Sequence, residues 1–203
     1  MTSRCSGTLL ALALGTLVSA CATMSPEECK VANWKDVGLR DGLAGNSLTL
    51  LESRTKDCAE AKVALDAKSY LSGRDLGLKT FCRMENAVPL GLNGGSYEGV
   101  CPPWIDGEFR ARFQIGRAVF DKRTEVGYLD DRLTAAERRL HNSDHDEGKR
   151  LRDVDKEDER KRIRREFDDQ RHRIREEIRE LDRQLQRARY DLRQAEQALG
   201  ALR

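Results

Sequence analysis

Apolar positions are spaced in three ways along this chain, and each spacing predicts a different kind of element. Near the start, Arg4 is followed by an almost unbroken apolar run from Leu9 to Val18. This run is shorter than the roughly 20 apolar residues that a membrane span needs. At the other end, apolar residues recur at steps of three, four or seven, as expected of one helix face. A first series runs Val119, Val126, Leu129, Leu133, Ala136 and Leu140. A second runs Ile163, Phe167, Ile174, Ile178, Leu181, Leu185, Ala188, Leu192, Ala195 and Leu199. From Ile174 the steps alternate four and three, the seam of a coiled coil. The polar stretch from His141 to Gly148 separates the two series and predicts a turn near residues 141–149. Two arrangements follow: helix 118–141 folds back on the longer helix, or the long helix pairs with another chain. A partial hairpin that self-associates, or meets an envelope partner, through its distal end combines them.

The middle of the chain mixes helix signals with glycine. Ser25, Pro26 and Glu28 form a helix start, with a cap, a proline at the first position and a capping-box acid. Gly38, Gly42 and Gly45, after Trp34, share one helix face. Each glycine costs about 1 kcal/mol against alanine in a helix, so the face predicts close approach of another backbone. Gly73-Arg74-Asp75-Leu76-Gly77-Leu78 repeats the pattern of Gly38-Leu39-Arg40-Asp41-Gly42-Leu43, with Asp66 as N-cap and an end near Cys82. The two helices are expected to pack on each other, with a further helix over Leu50–Leu65 between them. Asn86–Pro103 is broken every few residues by Gly, Pro or Asn and predicts a structured loop or short hairpin. Helix resumes near Ile105, with Phe109, Phe113 and Gly116 on one face. The fold class is therefore mainly α: a small Gly-rich helical domain tied by disulfides over 21–117, then a long helical hairpin or coiled coil over 118–203.

Residues 1–20 have the layout of a secretory signal peptide. Val18-Ser19-Ala20-Cys21 resembles the lipobox of bacterial lipoproteins, in which the cysteine is acylated and becomes the first mature residue. Ala22, rather than Asp, follows it, which by resemblance to lipoprotein sorting favours the outer membrane and a periplasm-facing protein. With Cys5 in the leader and Cys21 lipidated, Cys29, Cys58, Cys82 and Cys101 remain, and an even number in an oxidising compartment predicts two disulfides. Four cysteines allow three connectivities. Cys29–Cys58 with Cys82–Cys101 is preferred, since each pair brackets a local hairpin or loop.

Composition sharpens this division. All four prolines, both tryptophans and 13 of the 16 glycines lie before Arg117, whereas 32 of the 55 residues from Lys149 to Arg203 are charged. Net charge is only +2, so the chain has no general attraction to nucleic acid. His141 and His145, beside Asp144, Asp146 and Glu147, read as solvated surface, and no metal or cofactor is expected. Asp41 and Asp75 each adjoin an arginine and read as ion pairs or caps. No nucleophile elbow, phosphate-binding glycine loop or zinc-protease motif is present. The expectation is a structural or interaction protein with no catalytic residue. The alternative is a small-ligand binder or enzyme with its site in the Gly91–Cys101 loop, around Tyr97 and Asp41.

W-x3-G-x2-D-G-x2-G from Trp34, Y-x2-G-x3-G-L-x3-C from Tyr70 and G-x4-S-Y-x-G-V-C-P from Gly91 resemble the YfiL-like family of small bacterial envelope lipoproteins, over residues 29–117. That resemblance implies a location and a fold module of unknown function, and brings no catalytic residues with it.

Overall fold

The computed structural model describes residues 23–202; the signal-like segment and Cys21 lie outside the described residues. Seven helices follow one another: α1 Pro26–Val31, α2 Trp34–Ala44, α3 Thr49–Glu60, α4 Ala67–Phe81, α5 Met84–Leu92, α6 Pro103–Arg152 and α7 Glu157–Gly200. No strand occurs among the described residues, and none of their helices is long and apolar enough to cross a membrane.

Local chemistry starts α1 and α4 where the sequence predicts. At α1, Ser25 accepts from the Glu28 amide and Glu28 accepts from the Ser25 amide, a complete capping box. Asn33 caps α2 and Asp66 caps α4. The disulfides are Cys29–Cys58, joining α1 to α3, and Cys82–Cys101, joining the end of α4 to the segment before α6.

The glycine faces of α2 and α4 meet, and the contact is reciprocal. A Cβ on Gly38 would lie 1.9 Å from the Tyr70 carbonyl oxygen, and one on Gly73 would lie 1.9 Å from the Lys35 carbonyl oxygen. One turn further on, Gly42 meets the Arg74 carbonyl and Gly77 the Leu39 carbonyl. In each case a glycine faces the carbonyl three residues before the opposite glycine. The register advances in step on both helices, so they run in the same direction, with α3 as the return.

The same device is built a second time. Gly91 of α5 faces the Phe113 carbonyl, and Gly116 of α6 faces the Val88 carbonyl. Spacing along the chain matches: C-x8-G joins Cys29 to Gly38 and Cys82 to Gly91, and C-x14-G-R joins Cys58 to Gly73-Arg74 and Cys101 to Gly116-Arg117. In the first unit, left-handed Gly45 lies under the Phe81 ring and Arg74 donates to the Asn46 carbonyl. In the second, left-handed Gly94 lies under the Phe120 ring and Arg117 donates to the Gly94 and Gly95 carbonyls. The Cys/Gly-rich region is thus two copies of one helix–disulfide–helix unit, the first longer by the turn that carries Gly42 and Gly77.

Two expectations are corrected. Asn86–Pro103 is not wholly loop, because α5 runs through Pro89. The carbonyl that loses its donor belongs to Glu85, whose side of the helix is exposed to water, while Gly91 is held by its packing on α6. Nor does the chain turn at 141–149: α6 continues to Arg152 and the turn is Asp153–Lys156. Across the expected break, Ser143 is buried on the seam, and Arg171 of α7 pairs with Asp144 and Glu147. Arg160 closes the true turn by donating to the Leu151 and Val154 carbonyls.

Beyond Arg117, helix α6 exchanges α5 for α7 as its neighbour, so the boundary between the two regions falls inside a continuous helix. Leu129 and Ala136 of α6 pack with Leu181, Leu185 and Ala188 of α7. Of the two arrangements, the helix folds back on its own chain. The seam residues from Ile163 to Ala188 are largely consumed within this hairpin.

Candidate functional site

Asp41 stands at the centre of the first unit's polar interior. It lies on α2 one residue before Gly42 and is only 4% exposed. Tyr70 of α4 donates its hydroxyl to Asp41 Oδ2 at 2.7 Å. Arg54 of α3 approaches both carboxylate oxygens, Nη2 to Oδ1 at 3.0 Å and Nη1 to Oδ2 at 2.8 Å. Asn46 Nδ2 reaches Oδ1 at 3.5 Å. Burial, reinforced by the bond to Asp41, pushes the Tyr70 hydroxyl above the ordinary phenol range. With its oxygens occupied in this way, Asp41 crosslinks α2, α3 and α4 and offers no free lone pair to a substrate. An ion pair is expected of Asp41, but its partner is Arg54 of α3 and not the adjoining Arg40. Asp75, the other aspartate considered, is exposed.

Tyr97 belongs to a different cluster. Its ring packs against Phe81, Phe109 and Phe113, with the Arg110 guanidinium 5.1 Å from its centre. The hydroxyl donates to Asp106 and accepts from the Cys101 amide at 3.3 Å. Burial and the bond to Asp106 push the Tyr97 hydroxyl up to about 12. The Asp106 carboxyl is held below the usual carboxylate range, first by Tyr97 and then by Arg110. Tyr97 therefore pins the segment before Cys101 onto α6. It does not join Asp41, and Gly91 is spent on helix packing, so the Gly91–Cys101 segment forms no shared site with Asp41.

A concave surface does open on the other side of Asp41. A cleft of about 830 Å³ lies among α1, α2 and α3, with Asp41 and Arg54 on its wall beside Glu28, Asp36 and Arg40. Thr23 and Met24 line it as well. Thr23 donates both its amide and its hydroxyl to Asp57 Oδ2, each at 2.7 Å, which clamps the incoming chain onto α3. These bonds hold the Asp57 carboxyl below its ordinary range.

Sequence reasoning missed Arg54, because nothing in the sequence pairs it with a carboxylate 13 residues away on another helix. It also missed Arg74 and Arg117 as caps for the opposing turn. Their signal was present in the doubled C-x14-G-R spacing. Among the described residues, no group of three or more His, Cys, Asp or Glu side chains is placed to hold a metal. His141 and His145 are exposed positions of α6.

Fold and site together define a helical protein with two disulfide-tied units and a helical hairpin, in which the polar residues near the centre serve as crosslinks. Residues 33–118 match the model of a family described as a protein of unknown function, DUF2799. The match spans α2 to the part of α6 that packs on α5, the region of the two glycine crossings. No curated protein and no solved structure matches the chain.

Proposed function

We propose that the protein is an envelope lipoprotein, cut before Cys21, acylated there and carried on the periplasmic face of the outer membrane. Its role in this reading is structural or interactive, not enzymatic, with no nucleic-acid partner. The observation that carries the reading is the pair of disulfides closed within the domain directly downstream of Cys21. Such bonds persist in oxidising compartments, and a lipobox-like segment is an export and anchoring signal. The likeness of the glycine, tyrosine and cysteine pattern to YfiL-like lipoproteins points the same way. Saturation of Asp41 and immobilisation of Tyr97 favour a scaffold over a catalyst. Helix α6 continues past Arg117 to Arg152, about 50 Å at 1.5 Å per residue, which suits the display of a rod beyond the domain.

Intact mass of the protein extracted from membranes, beside a Cys21→Ser version, tests the proposal. The expected mass is that of residues 21–203 plus acyl chains, absent from Cys21→Ser, with four hydrogens gained on reduction of the two disulfides. A soluble species without acyl chains and with free thiols would overturn it.

A further inference from the structure

We propose that the cleft among α1, α2 and α3 faces the bilayer and binds a zwitterionic aminophosphate, the headgroup of phosphatidylethanolamine. The inference rests on the acylation of Cys21 proposed above.

Position is the first argument. Thr23 is clamped to Asp57 at the edge of the cleft, and only Ala22 separates it from Cys21. Two residues of extended chain span at most about 7 Å. An acyl group on Cys21 would therefore bring the cleft mouth to headgroup depth. Val31, which also lines the cleft, is 83% exposed, an apolar side chain turned outward at the cleft.

Charge is the second argument. Arg54 is committed to Asp41, which removes that pair as a ligand-binding group and leaves it as a rigid wall. Asp36 and Arg40 lie one turn apart on α2 and line the cleft. Among the described residues, neither side chain has a hydrogen bond or an ion pair, not even with the other. Glu28 of α1 contributes a further carboxylate, one oxygen of which caps Ser25 while the other has no partner among the described residues. A guanidinium takes a phosphate in a two-pronged, charge-assisted contact. A primary ammonium has three donors for carboxylate oxygens. Arg40 with Asp36 and Glu28 thus complements both ends of phosphoethanolamine. A choline headgroup has no N–H to donate, and a glycerol headgroup has no positive charge. A cleft of about 830 Å³ admits the headgroup with its glycerol backbone, within the range usual for small-molecule sites.

Native mass spectrometry of the detergent-extracted full-length product reads acylation and lipid retention in one measurement. The probes are dihexanoyl phosphatidylethanolamine, its choline and glycerol counterparts, and free phosphoethanolamine. Selective retention of one ethanolamine lipid per chain is expected, with Arg40→Glu weakening it about tenfold and Arg40→Lys less. Arg40 is exposed, so both variants should melt like the parent. Equal retention of the three lipids, or indifference to Arg40→Glu, would overturn the proposal. Displacement by an equal concentration of free phosphoethanolamine would overturn its membrane-facing part and assign the cleft to a soluble ligand. Selective retention without acyl mass defeats the anchor alone; acyl mass without selectivity defeats the cleft alone.

Discussion

Gly73 and Gly107 are both helical glycines, yet their surroundings predict opposite consequences of adding one methyl group. At Gly73 the new Cβ would lie 1.9 Å from the Lys35 carbonyl oxygen, so α2 and α4 must separate. Gly73→Ala should lower stability by about 3 kcal/mol, as overpacking of a fixed backbone contact does. Gly107 has nothing within 4 Å, and Gly107→Ala should raise stability by up to about 1 kcal/mol through helix propensity and unfolded-state entropy. Urea denaturation of the two variants beside the parent checks both signs. Asp41 offers a second contrast. Asp41→Asn keeps an acceptor for Tyr70 but leaves Arg54 in the interior without its counter-charge, a loss of about 3–5 kcal/mol. The double variant Asp41→Leu/Arg54→Met should lose much less than the two single changes summed. Strict additivity in the same denaturation series would refute the crosslink. At this scale the sequence was partly legible. Its glycine spacing announced a close helix contact, and of the two aspartates read as ion pairs only Asp41 forms one among the described residues, with Arg54, which could be found only once α3 was placed.

Elements extend where their neighbours hold them. Helix α5 survives Pro89 and Gly91 because one face is exposed to water and the other is fitted to α6. Local propensity argues for a loop, and packing outweighs it. The same holds at residues 141–149, where a polar sequence stays helical because α7 covers it. Arg171 is only 11% exposed and meets Glu147 inside the hairpin, while Ser143 is buried beside them without a hydroxyl partner. This polar layer interrupts an otherwise apolar seam, the kind of interruption that fixes helix register at some cost in stability. The hairpin also changes what a seam mutation should do. Leu181 is 2% exposed against α6, so Leu181→Asp should open the hairpin within one chain. Helical circular dichroism should fall, and the urea midpoint should drop by an amount independent of protein concentration. A midpoint that shifts with concentration would mean that the seam pairs between chains.

At the largest scale, the described residues form three cores in series. Cys29, Trp34, Val37, Cys58 and Tyr70 form the first, next to Met24. Leu78, Phe81, Cys82, Ala87, Cys101 and Phe109 form the second, and the hairpin seam is the third. Helix α4 carries residues of the first two cores, and α6 carries residues of the second and third, so each junction is a continuous helix. No core is large, which is why a domain with few aromatics gains from two disulfides, each worth about 2–4 kcal/mol. The sequence by itself determined the helical class, the α2–α4 glycine contact and the heptad seam, while it left three disulfide connectivities among which the structure selects Cys29–Cys58 with Cys82–Cys101. Each of the first three is periodic or local, written in the spacing of residues on one element. Tertiary structure alone decided that α5 is a helix, that α6 runs on to Arg152, that the seam closes within the chain, and that Asp41 is bound by Arg54. All four depend on which surface a residue meets across the fold. That is a matter of packing between distant segments, and it can override what either segment prefers alone.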